Sequence, residues 1–226
     1  MRETIAHGAE AVLSHQTATT YILVVAVVIA GLIFGWRAYA DRQTARGSMA
    51  FDEAMKTFNA PAGREITTPP RAGEITFATD QAKFTAAAQK FEDVAKKYPR
   101  TRPGQLAHYY AGLCLDHLGQ ENQAKEQLQA ATSGGDADYA SLARFQMAQI
   151  DDRTGQPDQS EKIYQELMAK PTVLVSKPVV MLALAQHYRQ KNPAEAAKLY
   201  AQIKSEYPDT GIAQQADQEL ALLPSK

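Results

Sequence analysis

Three series of positions recur along this chain at almost the same interval, and they restrict the fold to a stack of helix pairs. A small residue followed four places later by a large one appears as Ala87 and Phe91, Ala124 and Leu128, Ser160 and Tyr164, and Ala196 and Tyr200, at steps of 37, 36 and 36 residues. Gly112, Ala148 and Ala185 form a second, small series on the same step, and Gly119, Gly155 and Asn192 each follow one of them by seven residues. Small residues let two helices approach closely, and Gly or Asn relieves the left-handed backbone that commonly closes a helix. Each unit therefore reads as helix, tight turn, helix, and three series in phase from residue 80 onward mark internal repetition. The composition agrees: this region is rich in Ala, Gln, Leu, Lys and Glu and is segmented by Gly and Pro.

Ahead of the repeats, residues 18–36 (ATTYILVVAVVIAGLIFGW) carry no charge and stop at Arg37. As a helix they extend about 28 Å, close to the hydrocarbon thickness of a bilayer, so 18–40 is expected to be a single transmembrane anchor. Trp36, Arg37 and Tyr39 suit one interface and Tyr21 the other. A cleaved signal peptide is the competing reading, since Ala38 and Ala40 make a small-x-small pair. Against it, only Arg2 precedes the apolar run as a basic residue, and Arg37 interrupts the cleavage region. Within the flank 1–17, Ile5, Ala9, Val12 and Leu13 fall at helical spacing, as in a short amphipathic helix lying near a membrane surface. Ala40 to Phe58 reads as a helix continuing from the anchor into the repeat domain, 41–226. Residues 59–79 then read as an irregular loop broken by Pro61, Gly63, Pro69, Pro70 and Gly73, with Glu-Ile-Thr triplets at 65–67 and 74–76 that would pair as a small hairpin.

Charge and chemistry exclude several classes of function. With 24 basic and 25 acidic residues the formal charge is −1, so no net field selects nucleic acid or an acidic substrate. Cys114 is the sole cysteine, which excludes an internal disulfide or a cysteine cage for a metal, and on an apolar helix it reads as a small core residue. His7, His15, His108, His117 and His187 are scattered and read as surface or packing residues, while Asp151 and Asp152 read as a solvated helix face. No phosphate-cradling glycine loop, zinc-type histidine pair or nucleophile elbow is present. The expectation is a non-enzymatic protein with no catalytic residue, metal, cofactor, small-molecule substrate or nucleic-acid partner.

The repeat positions resemble the tetratricopeptide pattern W-x2-L-G-x2-Y, A-x3-F, P in a degenerate form. Gly112, Ala148 and Ala185 stand at its glycine, Tyr188 at its tyrosine, and Pro99, Pro171 and Pro208 at its closing proline. His108, Arg144 and Met181 replace its tryptophan. Tyr98-Pro99-x-Thr101 and Tyr207-Pro208-x-Thr210 look like repeats of bacterial envelope proteins. The resemblance implies an all-α chain: one N-terminal membrane helix, then an α-solenoid of about three to four degenerate helix pairs, capped by a last helix from Gly211 to Leu223. It also implies a concave groove lined by the first helix of each pair. Counting from the small positions, the groove stripe holds Tyr109, Leu113 and Asp116, then Phe145, Gln149 and Asp152, then Leu182, Gln186 and Arg189, with Tyr109 and Phe145 as exposed anchors for a bound peptide.

Gly35-Trp36-Arg37-Ala38-Tyr39 and Ala45-Arg46-Gly47-Ser48-Met49-Ala50-Phe51, placed between a membrane helix and degenerate repeats, resemble the YfgM-type ancillary subunits of the SecYEG translocon. That resemblance implies an inner-membrane protein whose repeat domain is periplasmic and binds translocon components, envelope chaperones or secretory client peptides. Arg37, Arg42 and Arg46 against Arg2 alone favour the opposite orientation by the positive-inside rule. A structural scaffold of an envelope-assembly or division complex, or a cytosol-facing tethered scaffold, is the alternative.

Overall fold

The computed structural model describes the backbone of residues 3–63 and 73–223, with side chains from Val27 onward. Among the described residues nine helices account for nearly all of the chain: α1 (Glu3–Phe58), α2 (Asp80–Lys97), α3 (Arg102–His117), α4 (Glu121–Thr132), α5 (Ala137–Arg153), α6 (Pro157–Ala169), α7 (Lys177–Lys191), α8 (Pro193–Glu206) and α9 (Gly211–Ala221). The chain divides into two compact units, Met1–Arg46 and Gly47–Lys226.

In the first unit the helix backbone runs from Glu3 without a break at residue 17, so the flank is not a separate short helix. The face proposed for Ile5, Ala9, Val12 and Leu13, the side chain of Tyr21 and residues 18–26 of the apolar segment lie outside the residues whose side chains are described. Among the described residues no helix is long and apolar enough to cross a membrane. From Val27 to Tyr39 every described side chain is exposed, Phe34 at 76% and Trp36 at 65%.

The second unit is a consecutive stack in which each helix from α2 to α9 packs on its neighbours in sequence, with added contacts between α3 and α5 and between α7 and α9. Antiparallel pairs α3/α4, α5/α6 and α7/α8 are the repeats, and α9 closes the stack. The last three turns of α1 supply a fourth pair, which the repeat spacing did not reveal. Phe51 and Phe58 meet Phe91 of α2 at 5.5 and 6.2 Å between ring centroids and Tyr110 of α3 at 5.5 and 5.7 Å. Such offset aromatic contacts add to the area they bury.

The phase-locked positions form the interior. Ala87, Phe91, Ala124, Leu128, Ala148, Ser160, Tyr164, Ala185, Ala196 and Tyr200 are all buried, as is Gly112. Gly112 shows why its series must be small: a Cβ there would stand 2.7 Å from Leu128 Cγ, the large partner in the next helix. Gly119 and Gly155 adopt φ of +70° and +75°, the left-handed turn that glycine permits. Asn192 departs from that expectation. Its φ is −144°, and it ends α7 while its side-chain oxygen accepts the Glu195 N–H at 3.3 Å to start α8, so one residue caps both helices.

The Tyr-Pro-x-Thr pattern also has a mechanical cause. Thr101 Oγ1 donates to the Tyr98 carbonyl at 2.8 Å and accepts the Gly104 N–H at 3.2 Å; Thr210 does the same between Tyr207 and Ala213 at 2.8 and 3.2 Å. One hydroxyl thus closes the turn and caps the next helix. Triplet 65–67 lies outside the described residues, and 74–76 has no regular structure. The ends of that loop are tied by a short parallel bridge, Gly63 N–H to Phe77 O at 3.0 Å and Phe77 N–H to Pro61 O at 3.1 Å.

Candidate peptide-binding cleft

The first helices of successive repeats present their last two turns to a common open space of roughly 800 Å³. Gln149, Asp152 and Arg153 of α5, Pro157 and Tyr164 at α6, Ala183, Gln186, His187, Arg189, Gln190 and Lys191 of α7, and Glu219 of α9 line it.

Of the expected groove stripe, Gln149, Asp152, Gln186 and Arg189 therefore come together in one cleft. The rest does not join them. Tyr109 is a core residue, 8% exposed, packed edge-on against Tyr110, and burial followed by the neighbouring Tyr110 and Tyr139 pushes its hydroxyl up to about 12. Leu113 packs against the same core. Phe145 and Leu182 are half-buried against the second core, where Phe145 meets the Tyr164 ring at 5.9 Å. Tyr109 and Phe145 are thus not exposed anchors: the first position of each triplet turns into the contact between repeats, and only in the α5 and α7 triplets do the second and third face the open space. Asp116 is largely buried, accepting from Gln146 Nε2 at 3.0 Å and pairing with Arg153, which ties α3 to α5.

Behind the cleft lies a polar cluster. Asp152 accepts from Tyr164 Oη at 3.1 Å, from His187 Nδ1 at 2.6 Å and from Ser160 Oγ; His187 Nε2 stands 3.8 Å from Glu161, which accepts from Tyr188 Oη at 2.6 Å. Burial first, and then the Asp152 carboxylate, raise the Tyr164 hydroxyl far above the ordinary phenol value and keep it a donor. The Tyr188 hydroxyl is pushed up to about 12 by burial and by its bond to Glu161. Serine, histidine and aspartate meet here without the geometry of a nucleophilic relay. Ser160 and Asp152 both approach Nδ1 of His187, leaving the other ring nitrogen directed at Glu161, and Ser160 is fully buried. The cluster fixes the cleft wall.

Reading His187 as one more scattered histidine missed its position. It stands two residues after Ala185, where the other repeats carry Cys114 and Ile150, both fully buried. A polar residue in a core phase was the available signal, since burial obliges it to find partners. Asp151 corrects the solvated-face reading in the same way: it is 1% exposed and binds Lys125 Nζ at 2.5 Å, with Gln156 completing the ammonium's partners at 3.2 Å. His108 bonds Gln127 at 2.7 Å, His117 stacks on Phe84 at 4.3 Å, and the side chains of His7 and His15 lie outside those described. Burial pushes the Cys114 thiol up to about 12, in keeping with a core residue.

What the cleft offers a ligand is chiefly amide. Arg189 is held by Glu219 at 3.0 Å and Arg153 by Asp116, so the guanidinium groups are neutralised within the fold. Gln149, Gln186 and Gln190 point to the same space and have no hydrogen-bond partner among the described residues. Each offers a donor and an acceptor, the complement of a peptide backbone. Among the described residues no group of His, Cys, Asp and Glu could hold a metal ion.

Family comparison agrees with this architecture. A model described as a tetratricopeptide repeat-like domain matches residues 15–174, and one described as a tetratricopeptide repeat matches residues 180–210. A search of characterised proteins finds no match. The first match alone spans well over half of the chain, which therefore belongs to the tetratricopeptide repeat-like domain family and is a helical module for protein–protein interaction.

Proposed function

We propose that this chain is a membrane-anchored adaptor that holds extended peptide segments of other proteins in the α5–α7–α9 cleft, without chemistry of its own. The observation that carries the reading is the set of unpartnered amides, Gln149, Gln186 and Gln190, beside guanidinium groups that are already paired, with Lys191 the lining cation that has no carboxylate partner among the described residues. Transient binding through backbone-directed amides suits clients of varied sequence. A tether supports it: residues 27–39 are exposed on every side and apolar apart from Arg37, which suits a lipid environment, and the family match begins at residue 15, taking in the apolar segment. On the resemblance described above, the partners are components of the SecYEG translocon, envelope chaperones or emerging secretory chains, and the repeat domain is periplasmic in a bacterial inner membrane. Tethering raises effective concentration, so weak contacts suffice there.

A photo-crosslinking residue at Gln186 of the full-length chain in its native membrane should capture translocon components or secretory chains, whereas the same residue at Lys162, on the outer face of α6, should not. Equal capture at both positions removes the cleft from the mechanism. Orientation has its own competing reading, because Arg37, Arg42 and Arg46 lie on the repeat side of the apolar segment and favour a cytosol-facing scaffold. A C-terminal topology reporter decides between the two, and a cytosolic signal ends the secretory reading.

A further inference from the structure

The turns between repeats make one continuous edge of the second unit, and that edge displays an aliphatic pair that the fold holds outward. Arg102 at the start of α3 bonds Asp136 before α5 at 3.3 Å and lies 5.8 Å from the Tyr139 ring; Asp138 accepts the Val173 N–H before α7 at 3.1 Å; and Lys177 pairs with Glu206 before α9 at 3.4 Å. Residues 171–176 are tightly built. Thr172 N–H donates to Val175 O at 3.0 Å, Val175 N–H returns to Thr172 Oγ1 at 3.2 Å, the Thr172 hydroxyl meets Ser141 at 2.7 Å, and Val175 is buried. Between these fixed points Val173 is 87% exposed and Leu174 45%. Fraying does not account for their exposure, since their own loop is closed by hydrogen bonds on both sides.

We propose that this edge rests on an anionic lipid surface, with Val173 and Leu174 entering the interface. The proposal rests on the membrane-anchor reading above. Charge complementarity supports it: Lys97, Arg100 and Lys170 lie on the inter-repeat turns or in the helix ends beside them and have no carboxylate partner among the described residues. Of the edge carboxylates Asp136 and Glu206 are paired with cations, leaving Asp138, which accepts the Val173 N–H, and Asp209, against three such cations. Cations beside an exposed aliphatic tip match a headgroup layer over hydrocarbon. Chain entry supports it as well. The chain joins this unit at Gly47, where a Cβ would lie 3.2 Å from Thr101 Oγ1 and 3.3 Å from Tyr98 Cγ, so it arrives at this same edge. Ten residues, 37–46, separate Gly47 from the end of the apolar segment, about 15 Å of α-helix.

The test uses the full chain in lipid nanodiscs, with a polarity-sensitive dye on single cysteines introduced at Val173, at Phe34 and, as a control at the turn inside a repeat on the opposite edge, at the exposed Asn122. Cys114 is buried and does not compete for the label. With phosphatidylglycerol present, the Phe34 and Val173 labels should both be quenched by lipid-borne quenchers and the Asn122 label should not. Pure phosphatidylcholine or high salt should cut quenching at Val173 about threefold or more while leaving Phe34 unchanged. A shielded Phe34 beside a Val173 label as open as Asn122 overturns the lipid contact and leaves the anchor standing. An unshielded Phe34 overturns the anchor and this proposal with it. A Val173 label that becomes shielded only when a second membrane protein is added assigns the tip to a protein pocket instead.

Discussion

At the scale of single residues, the hydroxyl groups of the core discriminate between packing and polarity. Tyr200 is fully buried and its oxygen has no partner among the described residues. A buried hydroxyl without a partner costs about 1–3 kcal/mol, so Tyr200→Phe should raise stability by about 1 kcal/mol in urea denaturation of the detergent-solubilised chain. Tyr109 gives a pH signature instead. Its folded pKa is raised from about 10 to about 12, so its contribution to stability is complete below pH 10 and falls as the pH climbs toward 12. Tyr109→Phe should therefore lose less stability than the parent chain over that interval, and parallel pH profiles would show that the hydroxyl ionises as easily folded as unfolded. Sequence reading located the phase-locked residues because close packing imposes a period. It missed Gly104, where a Cβ would stand 2.0 Å from the Tyr98 carbonyl oxygen, because that demand comes from one turn of backbone and leaves no repeating trace.

Among elements, side-chain caps mark some helix starts and not others. The polar interiors of α4 and α6 begin at glutamines that make no side-chain cap, whereas α2, α3, α5 and α9 begin at Thr79, Thr101, Asp136 and Thr210, each accepting a helix N–H. Thr210 matters most because α9 packs mainly on α8 and has few buried residues of its own. Thr210→Ala should cost about 1 kcal/mol and increase amide exchange in α9 selectively, while Thr210→Ser should retain most of the protection. Exchange spread evenly over all helices would mean that the cap serves the whole stack. The groove stripe was legible to within one helix face: the triplet spacing names Gln149, Gln186, Asp152 and Arg189, which line one open space. It turned Tyr109 and Phe145 outward because the period of a helix gives a face but not the direction from which the neighbouring repeat arrives.

For the repeat unit as a whole, the interior is two cores that meet at α5, which gives Ala143 and Ile150 to the first and Ala148 to the second, with Leu142 touching both. A stack of this kind distributes stability among neighbouring interfaces. Leu128→Ala should cost about 2–5 kcal/mol and deprotect α3 and α4 in hydrogen exchange well before α7 and α8, and Tyr164→Ala, costing about 3–5 kcal/mol, should show the reverse order. Uniform loss of protection from either substitution would mean a single cooperative core. Membership of the last turns of α1 in this stack was invisible in the repeat spacing, because residues 59–79 separate that helix from its partner α2 and remove the common interval.

The same interruption has a consequence for how the chain can change. Its ends are clasped by the two hydrogen bonds between Pro61, Gly63 and Phe77, so α1 and α2 are held together at the base whatever lies between. Closing a longer segment over such a clasp costs only about 0.6 kcal/mol for each doubling of its length. Here, then, is a place where sequence can be gained, lost or exchanged almost free of thermodynamic penalty, whereas Asn192, shared by two helices, leaves no residue to spare.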